Sequence, residues 1–339
     1  MTRLRVGPVS TRRALFSHME DAVRAALVAR PARGTVRDVA FRRYLRKVRA
    51  IMRSDPAHFE VIESRLLARG HTSSIIELTL RTDAAAEPGD MLHLLWRNTP
   101  ERIAQVHAEA ADGTYWSTPI PHRPSRRQHY SAETLLAEVI DLGAPGEPVT
   151  LDTAARITPR FFTVSGLEVV EGRSLVRIQV TLADAWPSRA SAFLHSLQPG
   201  DELAARVLPH PHRVPLGGGG IAVATGSGAA SVFAALRAGA ADIRLFWGVG
   251  NKRLEPWVVD ELHTHTESGR LAELTIVRSP DRVTGALATK LARAHVGADW
   301  IYVSGNEDMG RDVDALLSGL FGADTLRAMS NELRYIVST

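Results

Sequence analysis

Cysteine is absent from this chain. That excludes disulfides, thiolate metal sites and a cysteine nucleophile. No run of about 18 apolar residues occurs, so no helical membrane span is expected. The opening residues, MTRLRVGP, lack the apolar stretch of a secretion signal. The cytoplasm is therefore the default compartment. No G-x-S-x-G nucleophile elbow and no internal repeat are visible.

What is present is an ordinary globular balance, 45% hydrophobic and 23% charged over 339 residues. That length suggests about two domains. The net charge of +4 is unevenly placed. Residues 1–53 hold thirteen Arg and one Lys against three acids, a net of +11, whereas the remainder holds 27 basic and 34 acidic residues, a net of −7. A basic arm on an acidic body can serve an anionic partner, or it can dock on its own body. Docking is favoured, because Leu15, Met19, Val23 and Ala26, and then Phe41, Leu45, Val48 and Met52, form helical apolar stripes. No nucleic-acid partner is expected.

Beyond the arm, Phe59-Glu-Val-Ile-Glu, Ile75 to Leu80, Arg160 to Ser165, Leu175 to Leu182 and Glu202 to Leu208 read as strands. Residues 100–110 and 131–142 read as helices, and the proline-bearing stretch 112–130 as a loop. This half predicts a barrel, residues 54–215, with a helical insertion at about 98–150. After Pro215 strands and helices alternate. Strands are expected at 221–224, 243–247, 274–277 and 300–304, with helices at 229–238, 256–267, 284–294 and 309–320. Alternation at this spacing implies a doubly wound parallel sheet over residues 216–339.

The strongest local signal is Leu216 to Ser231, LGGGGIAVATGSGAAS. An apolar strand runs into Gly226-Ser227-Gly228 at the start of a helix. Such a turn admits a phosphate to the backbone, and the helix end supplies free N–H groups. The lesser alternative is a tight strand–helix turn that needs small residues for packing alone. Ser231 stands where the common G-x-G-x-x-G fingerprint has its third glycine. The pairs His210/His212 and His263/His265 lack the spacing and carboxylates of a metal site, and none is expected.

The order of segments resembles the ferredoxin–NADP reductase superfamily, particularly the reductase half of diflavin enzymes. Pro88-Gly89-Asp90-Met91-Leu92 with Asn98-x-Pro100 resembles its P-G-D-x-L and N-x-P segment. Pro159-Arg160-Phe161-Phe162-Thr163-Val164-Ser165 resembles its P-R-x-Y-S-I-x-S flavin motif. Arg189-Ala190-Ser191-Ala192-Phe193-Leu194 resembles its G-x-x-S-x-F-L segment. Gly226-Ser227-Gly228, Phe246-Trp247-Gly248, Tyr302-Val303-Ser304-Gly305 and Met309-x-x-Asp312-Val313 resemble later landmarks, in order. The similarity covers about residues 57–337.

The resemblance implies an FAD-dependent reductase using NADPH or NADH. Arg160 and Ser191 would hold the FAD pyrophosphate, Phe162 would stack on the isoalloxazine, and Thr163 would reach its N5. Phe161, Ser165, Arg189 and Ala190 complete the implied flavin set. Gly226, Ser227, Gly228, Gly305 and Met309 fall on the nicotinamide side, with Lys252, Arg253, Arg278 and Arg282 as the charges available for a 2′-phosphate. Ser304 and Thr163 are the catalytic candidates.

The chain also departs from the pattern. Ser304 replaces the cysteine of the C-G-D segment and Asn306 its acid. Ser231 replaces the proline of G-I-A-P and Gly250 the arginine of F-G-C-R. The sequence ends without the tryptophan that covers the flavin in many diflavin enzymes. The first 53 residues are too short for an FMN domain, so the resemblance implies a separate electron acceptor.

Overall fold

In a computed structural model, residues 46–338 are described except 49, 53, 95, 99, 108–115, 121–122, 132–133, 143–156, 158–159, 185–188 and 292–297. The first apolar stripe of the arm, and Phe41 and Leu45 of the second, lie outside the described residues. Val48 and Met52 of the second stripe are buried, and Arg206 of the barrel donates to the Ser54 carbonyl at 3.2 Å.

Six antiparallel strands close on themselves: β1 (Ala57–Arg69), β2 (Ser73–Thr82), β3 (Met91–Leu94), β6 (Arg160–Val170), β7 (Arg173–Ala183) and β8 (Glu202–Leu208). They run in the order β1-β2-β7-β6-β3-β8, with β8 pairing back to β1. Closure leaves no free edge. Strand β1 turns the corner through irregularities at Val61/Glu63 and Leu66/Ala68, where bulges bend a strand. The period-2 alternation sends Leu78, Leu80, Val176, Ile178 and Val180 inward, where they pack with Phe59, Leu92, Leu94 and Leu203. Ile75, Glu77, Gln179 and Thr181 therefore face outward.

The insertion holds α1 (Pro100–His107), then a hairpin of β4 (Trp116–Ile120) and β5 (Arg123–Tyr130). The hairpin replaces the loop expected at 112–130, because backbone pairing outweighs the low strand propensity of these polar residues. The helix expected at 131–142 is one π-type turn, Leu135–Val139. Asn98 pins it, donating to the Leu136 and Ile140 carbonyls at 2.7 and 2.6 Å.

Helix α2 (Arg189–Ser196) leads to β8. The second half follows with β9 (Gly220–Thr225), α3 (Ala230–Arg237), β10 (Ile243–Gly250), the two-residue β11 (Arg253–Leu254), α4 (Pro256–Glu267) and β12 (Leu271–Arg278). It ends with α5 (Val283–Leu291), β13 (Trp300–Ser304), α6 (Glu307–Phe321), α7 (Ala323–Asn331) and β14 (Tyr335–Ser338). Five strands make a parallel sheet, β12-β10-β9-β13-β14. In chain order this is 3-2-1-4-5, so the chain reverses direction across the sheet between β9 and β13. Apolar residues alternate to both faces: Ala222, Ala224, Trp247 and Tyr302 pack on one, Ile221, Val223, Phe246 and Val303 on the other. A sheet buried on both faces reads as a continuous apolar run, which is why these strands were legible. Helix α7 and strand β14 were not foreseen.

The halves are stitched together. Strand β11 pairs antiparallel with β1, Ala68 opposite Leu254. Leu67, Ala68 and Ile75 of the barrel join the core formed by Phe233, Trp247 and Leu262. Trp257 donates its indole N–H to the Leu66 carbonyl at 2.8 Å.

Candidate functional site

The site lies where the two halves meet. Strand β6 pairs with β7 from Val164 to Val170 and with β3 from Arg160 to Thr163. The two ladders change over at Thr163, so β6 and β7 part there. A cleft of about 740 Å³ opens at this point. Its barrel wall carries Phe161, Phe162, Thr163, Gln179, Thr181 and Ser191. The facing wall is built from the carboxyl ends of β9 and β13, the position at which doubly wound sheets bind ligands.

On that facing wall Gly226–Ala229 forms a 3₁₀ turn leading into α3. A Cβ on Gly228 would lie 2.7 Å from the Ser304 carbonyl oxygen, below any tolerated contact, so only glycine lets the turn approach β13. Gly305 has φ of 141°, and a side chain there would strike the Thr225 hydroxyl. The small residues thus have a packing reason of their own. Ser304 is 3% exposed, and its hydroxyl donates to the Gly228 carbonyl at 2.7 Å. Asn306 caps α6, its Oδ1 accepting the Met309 N–H at 2.7 Å. Ser227 receives a hydrogen bond from Thr181 at 2.9 Å, which ties the turn to the barrel.

Of the residues singled out in the sequence, Phe161, Phe162, Thr163, Ser191, Gly226, Ser227, Gly228, Arg282, Ser304, Gly305 and Met309 come together on this cleft. Arg160, Ser165, Arg189, Ala190 and Arg278 do not line it. Arg160 is exposed at the start of β6. Ser165 is buried at the domain seam, its carbonyl accepting from Arg237 at 3.2 Å. Arg189 lies 3.5 Å from Asp141, Ala190 packs into the barrel core, and Arg278 is exposed at the end of β12.

Residues the sequence reading passed over also line the cleft: Gln179, Thr181, Asp281, Asp308 and Ser338; Lys252, one of the charges available for a 2′-phosphate, and Asp312 line it too. The alternation in β7 was the one available signal, since two polar residues two apart interrupt an apolar strand. Arg282 approaches Asp312 at 3.5 Å, and burial lowers the Lys252 pKa. Behind the cleft, His210 accepts the His212 N–H at Nδ1, 2.9 Å, and faces the Ser338 hydroxyl at 3.5 Å through Nε2. Burial, with His212 and Arg213 adding to it, holds the His210 pKa down at about 3.

Barrel, doubly wound sheet and interdomain cleft together define the two-domain fold of ferredoxin–NADP reductases. A solved structure with this likeness is a ferredoxin–NADP+ reductase from Plasmodium falciparum, with a TM-score of 0.52. It shares 11% identity over 83% of this chain and 95% of that one. No protein-family model matches the chain, and no curated protein matches it.

Proposed function

We propose that this protein is an FAD-dependent oxidoreductase that draws reducing equivalents from NADH or NADPH and passes them to a separate acceptor. The observation that carries this reading is the cleft itself, in which Phe161-Phe162-Thr163 of the barrel face Gly226-Ser227-Gly228 of the parallel sheet. The name of the Plasmodium falciparum neighbour supports the same reading. On this reading residues 54–215 form the flavin half, 216–339 the nicotinamide half and 1–53 a basic arm that docks on the body.

The residues present fit a flavin. The partly buried Phe162 offers a ring for stacking, Thr163 a hydroxyl within the cleft, and Ser191 a donor at the start of α2 for the pyrophosphate. Gly226, Ser227 and Gly228 line the cleft ahead of α3, and the free N–H groups of that helix start would be the donors for a phosphate. When bound, FAD supplies the redox chemistry; the protein positions both rings and excludes water. On this reading Arg160, exposed at the start of β6 and outside the cleft lining, would close on a phosphate by a charge-assisted pair.

A second reading rests on Ser304 and Asn306. The hydroxyl of Ser304 is engaged by Gly228 and the amide oxygen of Asn306 by Met309. Neither supplies a thiol or a charge beside the nicotinamide position. This favours a flavoprotein acting on a bound small molecule with little nicotinamide turnover. A visible spectrum of purified protein, followed by anaerobic addition of NADH and NADPH, separates the two. Bleaching of a bound flavin supports the first reading and persistence of the oxidised spectrum the second. Protein that neither copurifies with nor takes up FAD overturns both.

A further inference from the structure

Gln179 is 3% exposed and lies on the cleft, yet neither its amide oxygen nor its amide nitrogen has a hydrogen-bond partner among the described residues. Its neighbours are satisfied. Glu77, directly opposite on β2, is bound by Arg65 at 2.9 Å and Arg237 at 2.8 Å. Thr181, two residues along the same face, is bonded to Ser227. A buried amide with both ends unanswered costs about 1–3 kcal/mol per group, and such groups are rare in folded proteins. Of the side chains with such orphaned atoms among the described residues, Gln179 alone lines the cleft, so its partner is one that arrives with a ligand.

The place and chemistry of that partner follow from the register. The β6–β7 ladder ends at Val164 opposite Ile178. The next residues outward are Thr163 and Gln179, one on each lip of the opening. A primary amide offers one donor face and one acceptor, the complement of an imide edge. In a flavin ring N5, the C4 carbonyl and N3–H follow one another along one edge. If Thr163 addresses N5, the group across the opening faces the carbonyl and N3–H. We propose that Gln179 is the positioning residue for the flavin ring. Its NH₂ donates to the C4 carbonyl oxygen, and its side-chain oxygen accepts from N3–H. This assignment rests on the FAD reading above.

The test is to titrate apoprotein with FAD and with 3-methyl-FAD, which lacks the N3 proton, following flavin fluorescence. Wild-type protein should prefer FAD on the order of tenfold, the worth of one to two neutral hydrogen bonds. Gln179→Leu should bind FAD about tenfold more weakly and no longer distinguish the two flavins. The apoprotein carrying Gln179→Leu should melt at or above the wild-type temperature, because the change removes two unanswered polar groups. Should that variant not fold, the near-isosteric Gln179→Met carries the same comparison. The assignment is overturned if Gln179→Leu still distinguishes the flavins. It is equally overturned if the apo variant is destabilised, which marks a structural amide, or if only NADH affinity falls, which marks a nicotinamide contact. Wild-type protein that binds neither flavin defeats the FAD reading itself, a different result from binding both flavins alike.

Discussion

Glu77 of the barrel and Arg237 of the parallel-sheet half meet across the domain seam, Oε2 to Nη1, at 2.8 Å. Glu77 is wholly buried. Arg237 also holds Glu261 through Nε at 2.7 Å and Nη2 at 2.9 Å. Arg65 completes the Glu77 carboxylate while its guanidinium lies 3.6 Å over the Trp257 ring. The result is a charged network at the domain seam, at the far end of α3 from the Gly226–Ala229 turn.

Removing Arg237 takes a cation from each of two carboxylates, Glu77 and Glu261. Arg237→Ala should destabilise the protein by about 3–5 kcal/mol, the usual effect of breaking a buried pair. The double change Glu77→Leu with Arg237→Met should lose less, because the fully buried carboxylate no longer stays behind without Arg237, while Glu261 and Arg65, which also lose a partner, keep some contact with water. Chemical denaturation of the three proteins checks this. Equal losses in the single and double variants would show that packing, not charge, holds the seam.

Acid should weaken the fold through His93. This residue is wholly buried, stacks on Phe161 at 5.0 Å between ring centres, and has neither ring nitrogen hydrogen-bonded among the described residues. Burial, with repulsion from Arg206, lowers its pKa from 6.5 to about 4. The unfolded chain takes up the proton as pH falls through 6.5, and the native state only near 4. Stability is therefore lost as pH falls across that window, by roughly 3 kcal/mol at the limit. His93→Leu should flatten melting temperature against pH there, leaving the slope due to His210. An unchanged slope would rule His93 out.

Hydride transfer from a nicotinamide should be slow. Ser304 is turned to the Gly228 carbonyl, and Asn306 brings no charge to balance a developing positive ring. Asn306→Asp preserves a good helix cap and adds a carboxylate at the α6 N-terminus, so the fold should tolerate it. Combined with Ser304→Cys, it should raise the anaerobic rate of flavin bleaching in stopped flow, on the order of tenfold or more. Fast wild-type reduction, slowed by the double change, would favour a specialised working hydride site.

Discrimination between NADH and NADPH should stay below about a hundredfold, or 2.7 kcal/mol at 1.4 per decade. Arg282 is drawn toward Asp312, and Asp281 and Asp308 share the same wall. Arg282→Ala should move the ratio of kcat/KM values less than about fivefold, whereas Asp312→Asn should shift it toward NADPH by releasing Arg282. A shift toward NADH in the second variant would place the 2′-phosphate elsewhere.

Local pattern carried much of this structure. Ile221 to Ala224, Ile243 to Trp247 and Trp300 to Ser304 are apolar on both faces, so their place in a covered parallel sheet was readable from composition. The Gly226-Ser227-Gly228 turn and the Arg160 to Ser165 strand were equally visible. The hairpin at 116–130 was hidden because its residues are polar and proline-bearing, and backbone pairing alone defines it. Helix α7 and strand β14 lacked a strong apolar period of their own.

The sequence by itself determined the two-part architecture, the switch-point turn and the aromatic pair on β6, because each is written in residues adjacent along the chain. Only the tertiary structure decided which residues share the cleft. It withdrew Ser165 into the seam with Arg237, left Arg278 at the surface, and brought in Gln179, Thr181 and three carboxylates. The reason is that β6 and β7 part at Thr163 and β11 crosses to pair with β1. Those events join segments far apart in the chain, and no local periodicity encodes a distance between them.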